Sequence, residues 1–114
     1  MKNIKVILSL TIIAGIFFIS YNLYAAEVSG KTVDLLEVVG GREGNVDKAG
    51  AIALVKAGKP LAFKTSDGKL YLVFNTDGSV ADKNLAKNAD NEYKIVGKIH
   101  NKNGFQYIIA DKFE

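Results

Sequence analysis

The chain of 114 residues contains no cysteine, one proline and one histidine. Without cysteine it has no disulfides, no thiolate chemistry, no thiolate metal site and no covalent haem attachment, and it has no cysteine to carry a lipid anchor. The single proline, together with the absence of repeats and low-complexity tracts, argues against an extended linker. His100 is the only imidazole from which a catalytic or metal site can be built.

Charge is also absent for 21 positions, between Lys5 and Glu27. A short basic head, an apolar run over residues 6–20 and small residues at the exit form the pattern of a secretory signal. We predict a signal peptide over residues 1–25, with cleavage after Ala25. The protein is then exported, to the periplasm or out of the cell.

An uncleaved anchor stays open as an alternative. Leu23 is larger than the residue usually found three positions before a cleavage site, and Tyr21 and Tyr24 are rings of the kind that lie at membrane interfaces. The run over residues 6–20 is nevertheless short, since a spanning helix needs about 20 apolar residues. In this alternative the protein is anchored in the inner membrane with its domain outside the cytoplasm.

Residues 26–114 form one domain by length. They keep 13 of the 15 Lys and Arg, because two fall in the leader, and all 12 Asp and Glu. Nucleic-acid binding needs a clustered excess of basic residues. Charges that nearly balance and are interspersed argue against a nucleic-acid partner.

The residues before the first turn predict one strand and one helix. Residues 28–39 are β-branched and apolar and predict a first strand that ends in the flexible glycine loop 40–44. Asn45 then caps a helix over residues 46–57, and Gly58 occupies the position of a left-handed C-terminal residue.

The rest of the chain predicts two hairpins with a short helix between them. Asp67-Gly68 is the turn between strands 61–65 and 69–74. Asp82 caps a helix over residues 83–88 that places Leu85 inward. The second hairpin joins strands 93–100 and 105–111 through the turn 101–104.

This order predicts a mainly β domain with two short helices. It is the order of a five-stranded OB-like barrel with a helix inserted between strands 1 and 2. Gly97 within the fourth strand fits a barrel, because strand glycines mark bends or close backbone approach. An open antiparallel α+β sheet is the alternative.

The segments that carry a resemblance are 58–61, 67–72, 93–99 and 103–105. Together they resemble a class of small exported bacterial OB-like domains, mostly of unknown function. In that class many members have a His and paired Cys on the inserted helix, which implies a metal or redox site. The matching positions here hold Asp47, Gly50 and Leu54, so we predict the scaffold without that site, with no metal and no cofactor.

The candidate binding residues are few and scattered. A basic surface with aromatic side chains is predicted on the helix end and first hairpin, although strand-edge lysines also simply block edge pairing. Its members are Lys56, Lys59, Lys64, Lys69, Phe63 and Tyr71, of which Lys64, Lys69 and Tyr71 are the binding candidates. Arg42 belongs to the glycine loop, which lacks the P-loop lysine. His100 is interpreted chiefly as an exposed histidine. The oxygen-bearing side chains between residues 75 and 92 lack the EF-hand spacing of a calcium site and are interpreted as turn and cap residues.

The sequence is compatible with three functions. The first is a non-catalytic periplasmic or secreted binding module for a protein, a glycan or a small anion. The second is a membrane-tethered accessory subunit of an envelope complex. The third is a small hydrolase that uses His100 with carboxylates; no catalytic residue set is assigned.

Overall fold

A computed structural model describes residues 26–114, and the predicted signal peptide 1–25 lies outside the described residues. Within this part, five strands and three short helices follow in the order β1 (Ala26–Asp34), α1 (Leu35–Val39), α2 (Lys48–Lys56), β2 (Leu61–Thr65), β3 (Leu70–Asn75), α3 (Asp82–Lys87), β4 (Tyr93–Lys102) and β5 (Phe105–Phe113). None of these helices has the length and apolar character needed to cross a membrane.

The strands close into a barrel in the order β1-β2-β3-β5-β4. Strand β1 pairs with both β2 and β4, and β3 and β5 run parallel while the other neighbours are antiparallel. Helices α1 and α2 lie between β1 and β2, and α3 lies between β3 and β4. The predicted OB-like barrel is therefore confirmed, with three helices instead of two, and closure of the barrel rules out the open sheet.

Helices α2 and α3 cover one side of the barrel. They pack against each other and against β1 and β2. Their small and aliphatic residues join the barrel interior in one core, which includes the fully buried side chains of Phe63, Leu85, Ile95 and Ile108. Leu85 faces inward as predicted.

One polar group is sealed in this core. Thr32 is 1% exposed. Its hydroxyl donates to the Leu85 carbonyl at 2.6 Å and so accepts from the hydroxyl of Tyr93, also at 2.6 Å. Burial raises the pKa of Tyr93 to about 12, although the bond with Thr32 offsets part of the rise. The two bonds tie β1 to α3 and β4.

Strand β1 is shorter than predicted, because Asp34 starts a helix. The Asp34 carboxylate accepts the backbone N–H of Leu36 at 3.1 Å and of Glu37 at 3.4 Å. The prediction of a strand through residue 39 is wrong, since a capping carboxylate outweighs the strand preference of β-branched residues. Glu37 therefore lies on a helix and not on the strand.

The other two helix starts also differ from the prediction. Asp47, not Asn45, is the N-cap of α2 and accepts the Gly50 N–H at 2.7 Å. Ala81 occupies the cap position of α3 without a side-chain bond. The Asp82 carboxyl is partly buried beside the backbone of Leu61, and burial raises its pKa.

Gly97 allows β4 to approach β5 closely. A Cβ on Gly97 would lie 2.2 Å from the Ile109 carbonyl oxygen. The register between β4 and β5 also shifts between Val96 and Gly97. The predicted barrel bend is thus a β-bulge at which only glycine fits.

Candidate functional site

The outer surface of β3, β5 and β4 is the candidate site. Side chains alternate across a strand, so the inward positions Tyr71, Val73, Ile108 and Ala110 leave their neighbours on the outside. We call the outward cluster the aromatic face: Leu72, Phe74, His100, Phe105, Tyr107 and Ile109.

Tyr107 lies at the centre of this face. The His100 ring stacks on it with ring centroids 4.8 Å apart and planes 9° from parallel. Phe74 meets it edge-on at 5.8 Å, and Phe105 lies 5.6 Å away along the same strand. Such aromatic pairs hold one another in fixed orientations, so the face is a preformed surface.

The aromatic face is open to solvent. Phe105 is 47% exposed, and the other members are half-buried. In the described part of the chain the helices pack mainly on β1 and β2, so no helix covers this side. Apolar side chains that lie together on an uncovered strand surface and keep part of their area exposed are candidates for contact with a partner.

A row of basic side chains borders the aromatic face along β4. Lys98 lies opposite Ile109, His100 opposite Tyr107 and Lys102 opposite Phe105. Residues directly opposite in an antiparallel pair project on the same side. The outer side therefore carries a basic row directly beside an apolar row.

Arg42 forms an ion pair with Glu37 of α1, five residues before it in the chain. Its guanidinium Nε lies 2.5 Å from a carboxylate oxygen of Glu37, and a second nitrogen donates to the other oxygen at 3.3 Å. The Arg42 hydrogen bond lowers the pKa of Glu37. The loop is further held by the Asp34 N–H, which donates to the Gly44 carbonyl at 2.8 Å.

The predicted basic surface with aromatic side chains is not assembled. Tyr71 is 5% exposed and Phe63 is fully buried, so the prediction that Tyr71 lies on the surface is wrong. Lys64 is half-buried on the outer side of β2 opposite Leu70, and Lys69 is exposed at the turn. The structure leaves these lysines without an aromatic partner from that set.

His100 belongs to β4, two residues before its end, and is half-buried against Tyr107 instead of freely exposed. Among the side-chain hydrogen bonds of residues 26–114, none joins His100 to a hydroxyl or a carboxylate. A hydrolase needs a nucleophile and an orienting group beside its base. The described geometry supplies neither.

The acidic residues after β3 serve local structure. Asp77 accepts the N–H and hydroxyl of Ser79, which lowers the pKa of Asp77. Asp90 accepts the Lys48 N–H at 2.7 Å. Over residues 26–114, no three His, Cys, Asp or Glu side chains are grouped as metal ligands.

A separate cleft of about 810 Å³ opens at the ends of α2 and α3. Lys59, Lys83 and Lys87 line it together with Asp82 and the exposed Val80. It is large enough for a small molecule. Its side chains include both charges, and it contains no aromatic ring.

His100 is a candidate binding residue from the sequence, whereas the side chains that surround it are not. The signal was present in the alternation of Phe105, Tyr107 and Ile109 with Gln106, Ile108 and Ala110. The alternation does not say which of two apolar sets faces the core. That depends on pairing β5 in parallel with β3, a contact that no local pattern predicts.

The chain matches no family model, and comparisons with curated proteins and with solved structures return no significant similarity. The site must therefore be interpreted from its own geometry.

Proposed function

We propose that this protein is an exported, non-catalytic binding module that engages its partner through the aromatic face. The observation that carries the proposal is the cluster around Tyr107: stacked and edge-on rings on an uncovered strand surface, bordered by Lys98 and Lys102. Rings held in place bind a partner with little loss of side-chain freedom.

Closure of the barrel supports a side-chain surface as the binding element. Strands β1 and β4 pair over residues 26–30 and 93–97, so closure leaves little free edge for an added peptide strand, although residues 98–102 of β4 pair with β5 alone. A partner is then recognised by the outer side chains. Among these, the aromatic face is the part with exposed rings.

Export rests on the charge-free stretch before Glu27. Intact mass spectrometry of the natively expressed protein tests it. A product that begins at Ala26 supports release from the membrane, and a full-length product in the membrane fraction supports the tethered alternative. In either case the domain and its aromatic face are outside the cytoplasm.

Nuclear magnetic resonance titration of residues 26–114 tests the binding role. The probes are neutral oligosaccharides, acidic oligosaccharides, single-stranded oligonucleotides, short peptides and inorganic phosphate. We expect at least one class to shift the amide signals of Phe74, His100 and Tyr107. If none shifts them, or if every shift maps to the cleft beside Lys83, the proposal fails.

A matched pair of variants shows whether the rings do the binding. Phe105→Ala removes an exposed ring from the face. Val39→Ala removes an apolar side chain that is 72% exposed on α1, away from the face. We expect weaker binding in the first variant only; equal loss in both contradicts the proposal.

A further inference from the structure

The aromatic face and its basic row have a shape and charge pattern that restrict the class of ligand. We propose that this face binds an acidic linear polysaccharide, with sugar rings lying on Tyr107 and Phe105 and acid groups beside Lys98 and Lys102. The inference rests on the proposed binding role and names its ligand class.

Both lysines are free of ion pairs within the described residues. Within residues 26–114 the ion pairs are Arg42 with Glu37, Lys94 with Glu27 and Lys112 with Glu114. Lys98 and Lys102 belong to none of them, and both are exposed. Their ammonium groups are thus available to an external anion.

The lysine ammonium groups and the aromatic rings belong to the directly paired strands β4 and β5. On β4, Lys102 lies opposite Phe105 and Lys98 lies opposite Ile109. Both of these partners are on β5, the strand that carries Tyr107. A ligand that fits must present a flat apolar surface and an anionic group side by side. A sugar acid does so, because the C–H face of its ring is apolar and its carboxylate projects from the rim.

The two lysines are widely spaced along β4. Lys98 and Lys102 are four residues apart, or about 14 Å at roughly 3.4 Å per strand residue. A wide interval suits a polymer that carries its acid group on alternate sugars. A single-stranded nucleic acid has a phosphate at every nucleotide, and its binding sites normally use a denser basic groove.

The aromatic face is an open surface and not an enclosed pocket. The face is the outer side of three neighbouring strands and continues along them past Leu72 and Phe74. Small ligands are usually enclosed by a pocket. An open strip of rings beside a row of cations suits an extended chain that crosses the barrel.

The test measures binding of a hexasaccharide of alternating glucuronate and N-acetylglucosamine to residues 26–114 by titration calorimetry at low and moderate salt. Its methyl ester, with the same sugars and no charge, is the matched ligand. We expect the acid to bind about ten-fold more tightly than the ester at low salt, with the difference shrinking as salt is added. Equal affinity for acid and ester overturns the inference.

Paired variants locate the contact. Lys98→Gln with Lys102→Gln is expected to reduce affinity for the acid about ten-fold while leaving the ester unchanged. Lys83→Gln with Lys87→Gln removes the same charge from the cleft and is expected to change affinity less than about two-fold. The reverse pattern would place the anion in the cleft and overturn the inference.

Other outcomes separate this inference from the proposed function. If a neutral glycan, a peptide or an oligonucleotide shifts the signals of Tyr107 and the alternating acidic hexasaccharide does not, the binding role stands and the ligand class is wrong. If the face is covered by a second copy of the chain, ultracentrifugation detects a dimer that Phe105→Ala dissociates, and the inference fails. If no probe shifts the face, both fail.

Discussion

Two tyrosines on neighbouring strands of the same barrel are used in opposite ways. Tyr93 points into the core that helices α2 and α3 share with the barrel; it is 7% exposed, and its hydroxyl is bonded to Thr32. Tyr107 lies on the uncovered side, half-buried, and its ring is stacked on His100. The covered half satisfies its polar groups internally, and the open half leaves exposed the rings and cations to which we assign the proposed binding role.

The largest effect expected from a single substitution is at Gly97, where the open and covered halves are joined by the bulge. Gly97→Ala places a Cβ 2.2 Å from the backbone oxygen of Ile109, and backbone cannot yield as a side chain can. We expect a loss of about 3 kcal/mol or more in the free energy of unfolding, measured with urea. That would disturb both halves together.

Gly50→Ala is the control for this prediction. Its Cβ would meet only the Asp47 carboxylate oxygen, at 3.0 Å, and alanine is favoured within a helix by up to about 1 kcal/mol. We expect a change near zero. A Gly97→Ala protein as stable as the Gly50→Ala protein would show that the bulge tolerates a side chain.

The next largest loss of stability is expected in the covered half, at Thr32. Thr32→Val removes the hydroxyl that serves both the Leu85 carbonyl and Tyr93. Both groups stay buried without their partner, at a cost of about 2–3 kcal/mol in unfolding free energy. Thr76→Val, at an exposed loop position, is expected to be neutral, and the aromatic-face signals in the spectrum are expected to be unchanged in both variants.

The sequence predicted the hairpins better than the helix starts. Turn residues decide locally, so both hairpins turn at a predicted glycine, and Gly68, Asn103 and Gly104 have positive φ angles. The second turn is residues 103–104 and not the predicted 101–104, because β4 continues to Lys102. The start of a helix depends on which of several capping side chains is used. Asn45 and Asp47 both precede α2, and the structure shows that Asp47 is its cap. Strand-like composition hid the helix start at Asp34.

The candidate site could be predicted only in part. The order of the elements was enough for the OB-like barrel, because a strand order with one late helix allows few closed arrangements. The face depends on which sides of β3 and β5 are outside. Tyr71 and Phe74 are both aromatic and three residues apart, and only the closed barrel shows that the first is core and the second is surface.

High pH is expected to lower the free energy of unfolding through the buried hydroxyl of Tyr93. The pKa of Tyr93 is raised to about 12 by burial, against about 10 for an ordinary tyrosine. The folded state therefore holds this proton more tightly, and the resulting stability is full below pH 10 and is lost as pH rises towards 12. We expect a fall on the order of 2 kcal/mol across this window, measured by urea unfolding.

Tyr93→Phe is the control for the alkaline prediction. It removes the ionisable group and the bond to Thr32, so the protein is expected to start less stable and to fall less steeply between about pH 10 and 12. The same steep fall in Tyr93→Phe would assign the alkaline loss to other groups.

The smallest expected effect on stability is at Phe105, and there the comparison between the halves is most direct. The ring is 47% exposed and touches Tyr107 from one side, so Phe105→Ala is expected to cost only about 0.5 kcal/mol in unfolding free energy. The same substitution is expected to weaken ligand binding, whereas Thr32→Val weakens folding and leaves the affinity of the folded fraction unchanged. A large loss of stability in Phe105→Ala would mean that the open face is part of the structural core, and its rings would then need no partner to explain them.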